Sequence, residues 1–218
     1  MARDAKRTQK AAEKRRQRQQ LVQQEKSRRR AQEQGQVTGA AASCMEELPV
    51  DECVISKGWQ ERGLAHILLA RDRGDGHLVV GGYFVDLLCV GLKDCASIPR
   101  VEKDEYANKV KFSIFNDEVE FEPMDPGVAR ALVEGAISFA DGLGFHPNRR
   151  WPVARKVFRG IDPQPDGLEF GRGGKPCLVL RDGDNLQGAQ ARLQRKLADS
   201  AYQIVDQRSV GGSGSEGG

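Results

Sequence analysis

Two apolar runs on either side of a short turn signal constrain the fold of this chain most strongly. Residues 63–73 read GLAHILLARDR, residues 77–91 read HLVVGGYFVDLLCVG, and GDG stands between them. Both runs are rich in β-branched and large apolar residues, and Gly and Asp are typical of tight turns. The pattern predicts a β-hairpin. Its second strand is apolar on both faces, which predicts a central strand of a sheet.

The length of the turn decides which side chains share a face of this hairpin. With a two-residue loop at Asp75-Gly76, His66 and Asp86 point to opposite faces. With a three-residue loop that includes Gly74, His66 lies opposite Phe84 and diagonal to Asp86 on the same face. The sequence leaves both registers open. The pair Gly81-Gly82 predicts either a bulge or a close approach by another backbone.

Helix and strand signals follow the hairpin without the regular alternation of a parallel sheet. Residues 101–115 fit a helix, or else a strand in VKFSIF that turns at Asn116-Asp117 and pairs with EVEFE. The clearest helix has Asp125 at its N-cap and Pro126 at its first position, and Gly144 is placed to end it.

The C-terminal part predicts a second hairpin and two more helices. LEF (168–170) and PCLVLR (176–181) flank GRGGK, as two strands flank a turn. A short helix is expected over 152–160 and a last helix over about 186–205. The fold class is therefore α+β, with a hairpin-containing sheet packed with about four helices.

Charge is divided unevenly along the chain. Residues 1–34 carry 12 Lys and Arg against 4 Asp and Glu, whereas the rest of the chain carries 22 against 27. We therefore predict four parts: a basic arm over 1–34, helical or disordered; a linker over 35–45; a single globular α+β domain over 46–207; and a flexible Gly/Ser tail over 208–218.

Several classes of site are disfavoured by composition. The five cysteines include no C-x-x-C pair, which argues against a disulfide framework and a zinc ribbon, and Cys89 reads as a small buried residue. Three histidines without local spacing make a histidine metal site improbable, and no nucleotide-binding motif stands in a usable context. We expect no metal and no cofactor.

The absence of a long apolar run predicts no membrane partner and a cytoplasmic location.

Asp86 is the main candidate for catalysis, because it interrupts an apolar run. A buried carboxylate must be paired whether it is catalytic or structural, and the structural role is the more frequent one. His66 or His146 would be its acid–base partner in a small hydrolase or transferase. Since no catalytic motif is present, we expect a protein without enzymatic activity and keep this enzyme as an alternative.

Two basic segments predict contact with nucleic acid. The arm resembles the basic arms that neutralise phosphates. Residues 146–159, HPNRRWPVARKVFR, place arginines beside a tryptophan, which suits phosphates and unstacked bases if that ring is exposed. The alternative is that Trp151 and Phe158 lie in the core and the arginines form a solvated face. The candidate nucleic-acid-binding residues are Arg15, Arg16, Arg18, Arg28, Arg29, Arg30, Arg149, Arg150, Trp151, Arg155, Lys156 and Arg159.

These observations predict a cytoplasmic, non-enzymatic accessory protein that binds RNA or a ribosome-like ribonucleoprotein through its arm. RNA is favoured over duplex DNA because no helix-turn-helix or zinc-finger pattern is present. Besides the hydrolase or transferase, a second alternative is a regulatory subunit whose acidic body binds a protein partner.

Overall fold

The structure, a computed structural model, describes residues 45–111, 119–165, 167–180, 186–198 and 201–206. The predicted basic arm and the predicted C-terminal tail lie outside these residues. None of the described helices is both long enough and apolar enough to cross a membrane.

The described residues form a mixed α+β fold, as predicted. Its strands are β1 (Val50–Ser56), β2 (Leu64–Asp72), β3 (His77–Asp86), β4 (Gly91–Glu102), β5 (Phe121–Pro123), β6 (Cys177–Leu180) and β7 (Gln203–Asp206). Its α-helices are α1 (Trp59–Arg62), α2 (Lys103–Glu105), α3 (Pro126–Gly142), α4 (Trp151–Ala154) and α5 (Leu186–Lys196). Shorter turns of helix cover Met45–Glu47, Tyr106–Val110, which continues α2, and Arg155–Phe158, which continues α4.

The main sheet is antiparallel, with strand order β4-β3-β2-β1-β5. The predicted hairpin is β2 and β3, and β3 is an inner strand, as its two apolar faces predict. His66 pairs with Phe84, so the three-residue loop is the one that forms. Gly74 and Gly76 have φ of 76° and 79°, a conformation that glycine adopts without steric cost. Asp72 Oδ1 accepts the Gly74 N–H at 2.8 Å and fixes the start of this loop.

Gly81-Gly82 does not form a bulge, because the pairing with β2 runs through both residues without a shift. The irregularities of β3 lie elsewhere, between Leu78 and Val80 and between Phe84 and Val85. What approaches Gly81 closely is the phenol of Tyr83: a Cβ at Gly81 would lie 2.4 Å from Tyr83 Oη. The close approach was predicted, but its partner is a side chain of the same strand and not another backbone.

Helix α3 begins as predicted. The Asp125 side chain accepts the backbone N–H groups of Gly127 and Val128, and Pro126 needs no partner at the first position. The helix ends at Gly142, and Gly144 has a φ of 84°. Its buried side chains pack on one face of the sheet together with the segment 151–158. The other face holds a smaller cluster, which is Ala70, Leu78, Val80, Val101 and Tyr106.

The segment after β4 is only partly helical. β4 continues to Glu102, and the helix that follows ends within the predicted span. The alternative strand in VKFSIF lies almost wholly outside the described residues. Of its proposed partner EVEFE, the last two residues belong to β5, which pairs with β1.

The predicted second hairpin is wrong. Residues 168–170 form no strand; Phe170 instead packs on α3, with its ring 6.1 Å from that of Phe139. The turn signal itself is real, since Arg172 and Lys175 form an isolated bridge around Gly173-Gly174. The strand β6 finds a parallel partner in β7.

The last predicted helix is wrong in its second half. Helix α5 ends at Lys196, and residues 203–206 form β7. Leu193 is fully buried, whereas Ile204 is 40% exposed, so the two residues do not share one apolar face. The sequence YQIVD contains β-branched residues, and its pairing with β6 outweighs the helical spacing.

Candidate functional site

The basic segment 151–160 forms one wall of a groove of about 460 Å³. Four cationic side chains and two carboxylates line it, so the lining carries a formal net charge of +2. The lining residues are Glu46, Arg130, Glu134, Pro152, Arg155, Lys156, Phe158, Arg159 and Gly160.

The apolar pattern of this segment turns its cations toward solvent. Ala154, Val157 and Phe158 are buried in the core, while Arg155 and Arg159 are exposed. The short helix was predicted over 152–160 and is present, although its second half is a tighter 3₁₀ turn and the backbone leaves it after Phe158. The tighter turn does not separate the two arginines, and both line the groove.

A buried arginine lies behind this wall. The guanidinium of Arg71, on β2, donates to the carbonyls of Val157 at 2.7 Å, Met45 at 3.0 Å and Leu48 at 2.6 Å, and also to that of Arg159. Burial lowers its pKa, against the nearby Tyr83 and Glu46, which raise it. Arg71 thus joins the first described residues to the groove wall.

The sequence prediction missed Arg71, although its strand position was informative. Arg71 follows Ile67 and Leu69 at spacings of two residues, so it points to the same buried face. An arginine at such a position must find acceptors inside the protein. Four carbonyls supply them.

The opposite wall of the groove is α3. Arg130 Nε donates to Glu134 Oε1 at 3.1 Å, one turn further along, and its guanidinium also donates to the Ile161 carbonyl. Across the groove, the Arg155 guanidinium lies 6.0 Å from the centre of the Trp151 ring, within the range of a cation–π contact. Arg130 and Arg155 are therefore oriented by neighbours before any ligand arrives.

Trp151 is not the exposed ring that base stacking requires. It is 9% exposed and packs edge-on to Tyr83, with ring centres 6.2 Å apart. Phe158 is 1% exposed and stacks on the same tyrosine at 4.7 Å. The alternative of a core ring is therefore confirmed for both residues, and a base has no open aromatic face here.

The other candidate residues of the patch are placed away from the groove. Arg150 lies 3.7 Å from Asp94, and neither it nor Arg149 is part of the groove lining. His146 contacts Asp141 at 3.2 Å. With Arg192, Arg195 and Lys196, His146 lines a second groove of about 330 Å³. The candidates of the arm, Arg15, Arg16, Arg18, Arg28, Arg29 and Arg30, lie outside the described residues.

Asp86 ends β3 and shapes the turn that follows. Its Oδ1 accepts the backbone N–H groups of Leu88 at 2.9 Å and Cys89 at 3.0 Å, and the residue is 3% exposed. His66 is on the same face and stacks on Phe84, with ring centres 4.5 Å apart. Neither residue lines either of the two grooves. These two bonds hold the turn that follows β3.

The cysteine beside this aspartate, Cys89, also lacks the features of a reactive thiol. Cys89 is fully buried, and burial together with the Asp86 charge raises the pKa of its thiol to about 12. Such a thiol is protonated at neutral pH and is a poor nucleophile. Among the described residues, no cluster of three or more His, Cys, Asp or Glu is arranged to hold a metal ion.

Comparison with protein-family models, with curated proteins and with solved structures gives no match.

Proposed function

We propose that the protein is a non-enzymatic accessory protein that binds RNA through phosphates, with its basic arm and with the groove between α3 and the segment 151–160. The observation that carries this proposal is the convergence of Arg130, Arg155, Lys156 and Arg159 on one concave surface. Arginine guanidinium groups match phosphate oxygens in shape and charge, and lysine adds a mobile point charge.

The covalent connection of the chain adds to this proposal. The described residues begin at Met45, and Glu46 already lines the groove. The arm, with its 12 cations, is therefore joined to the groove wall through the linker 35–45. A tether of this kind raises the effective concentration of the second binding element once the first has bound.

The enzyme alternative gains no comparable support. Asp86 uses Oδ1 for two backbone amides, and neither it nor His66 opens onto the grooves described above. A general acid or base must reach its substrate.

The proposal is tested by the salt dependence of binding to a short single-stranded RNA. If the arm engages six phosphates, it contributes roughly −4 to the log–log slope of the binding constant against salt, at about 0.7 per phosphate. Two groove contacts, at Arg155 and Arg159, would add about −1.4. Deletion of residues 1–34 therefore removes most of the total slope, and the variant Arg155→Glu/Arg159→Glu removes the smaller part.

The matched control is Arg192→Glu/Arg195→Glu, which changes the net charge equally but in the second groove. If both double variants weaken binding alike, the groove has no specific part and only bulk charge acts. A full-length protein that binds neither RNA nor DNA at low salt contradicts the proposal and leaves the protein-binding alternative.

A further inference from the structure

The groove has the charge of a site for one phosphate dianion. We propose that it seats the terminal phosphate monoester of an RNA strand, an inference that rests on the proposed function above. Four cations and two carboxylates give the lining a formal net charge of +2. A phosphate monoester carries about −1.5 to −2 at neutral pH and offers three strong acceptor oxygens, whereas an internal phosphodiester carries a single negative charge.

The donors of this groove are arranged before a ligand binds. Arg130 is oriented by Glu134 and by the Ile161 carbonyl, and Arg155 is held over the Trp151 ring. The backbone of Arg159 is fixed from behind by the buried Arg71. Ordering these side chains beforehand lowers the entropic cost of binding.

A backbone donor adds to the four side chains. Gly160 lines the groove with a φ of 71°, and its N–H donates to no partner in the described part of the chain. A Cβ at this position would lie 3.2 Å from the Cβ of Glu46, so the wall is tight here and a glycine fits it best. The carbonyl of the peptide between Arg159 and Gly160 accepts from the buried Arg71, so the N–H of the same trans peptide points away from Arg71.

The size and lining of the groove favour binding of the terminal phosphate of an RNA strand over binding of its bases. A volume of about 460 Å³ lies in the range of small-ligand sites. The aromatic ring among the lining residues is Phe158, which is buried against Tyr83. Recognition therefore depends on phosphate oxygens, and we expect it to be independent of sequence.

The experiment compares three short single-stranded RNAs of identical sequence on the full-length protein: one with a 5′-phosphate, one with a 3′-phosphate and one with hydroxyl groups at both ends. We expect at least one phosphorylated RNA to bind about tenfold more tightly than the unphosphorylated one, which corresponds to the gain of one strong charge-assisted contact. The variant Arg155→Gln/Arg159→Gln abolishes the preference. The matched variant Arg192→Gln/Arg195→Gln retains it. Melting curves confirm that both variants fold.

The outcomes separate this inference from the proposed function. Equal binding of all three RNAs by the wild-type protein overturns the inference and leaves RNA binding intact. Binding of none of them overturns both. Adenosine monophosphate is the third probe: if it alone binds as tightly as the phosphorylated RNA, the ligand is a free nucleotide and the RNA end is not the source of the phosphate.

Discussion

The Asp86 turn and the groove both place charged groups against the hydrophobic core, but they use these charges differently. The Asp86 carboxylate is buried, and backbone amides two and three residues ahead occupy its Oδ1. Arg155 in the groove is exposed, lies over a ring and forms no ion pair with any described carboxylate. A charge that its own turn satisfies is part of the fold, whereas converging exposed charges remain able to bind a ligand.

Arg71 shows that the same contrast exists inside the groove wall. Its charge is as buried as that of Asp86, and backbone carbonyls from two segments satisfy it. The exposed cations of the wall line the groove, where we propose that they bind phosphate, whereas the buried Arg71 binds the wall itself. The contrast therefore separates the arginines proposed to bind a ligand from the one that supports the wall.

The largest expected difference between the groove and the Asp86 turn is in the reactivity of a cysteine thiol in each region. The variant Cys44→Ser/Lys156→Cys carries a thiol in the groove, at residue 156. The native thiol of Cys89 is the one compared with it in the Asp86 turn. Because the pKa of Cys89 is raised to about 12, its thiol stays protonated and unreactive until the pH rises toward that value. At about pH 8 we expect a thiolate fraction roughly a thousandfold below that of an ordinary thiol.

The measurement is labelling with a thiol-specific reagent, followed by mass spectrometry of the labelled peptides. We expect residue 156 to be labelled rapidly in the native protein and Cys89 to be labelled only after denaturation. Equal rates at both positions in the native protein would mean that the Asp86 turn opens to solvent.

Removing the buried cation gives the largest expected loss of stability. Arg71→Met leaves two buried and two partly buried carbonyls without their donor, and we expect a loss of about 3–5 kcal/mol in the free energy of unfolding. Urea denaturation measures it. Arg71→Lys keeps the charge but not the forked guanidinium donor. We expect its free energy of unfolding to lie between those of the wild type and Arg71→Met. A loss below that of an ordinary surface substitution would show that water replaces these bonds.

We expect substitutions of Asp86 to destabilise the protein less than Arg71→Met does. The loss should depend more on the acceptor oxygen of the side chain than on its charge. Asp86→Ala removes the acceptor of two buried N–H groups and should cost about 2 kcal/mol. Asp86→Asn keeps an acceptor oxygen and should cost less. Equilibrium denaturation of both variants tests this order. If Asn proves as damaging as Ala, the negative charge itself, and not only an acceptor oxygen, stabilises the turn.

The smallest expected effect on stability is that of the arm. Deleting residues 1–34 removes two large apolar residues besides Met1, namely Leu21 and Val22, so little apolar surface is lost from any core. We expect the melting temperature to stay nearly unchanged while RNA binding falls. A large decrease in melting temperature would show that the arm packs on the body and supports it.

The local signals of the sequence determined the β2–β3 hairpin and helix α3. Each depends on residues close in the chain: glycines in the loop, and the aspartate and proline at the helix start. These preferences act through local backbone sterics and hydrogen bonds, and they were correctly predicted. The concentration of positive charge in the arm and in the segment 149–159 is likewise a property of the sequence alone.

Only the tertiary structure decided which partners the remaining segments take. The strand β6 pairs with a segment more than twenty residues away, and Phe170 packs on α3 instead of forming a strand. Trp151 is in the core because Tyr83 lies beside it, and Arg71 finds carbonyls on segments distant in sequence. Such contacts depend on chain closure and on competition between distant surfaces, which no local pattern encodes. The groove therefore combines cations that the sequence made evident with Arg130, Glu46 and the supporting Arg71, which folding brought to them.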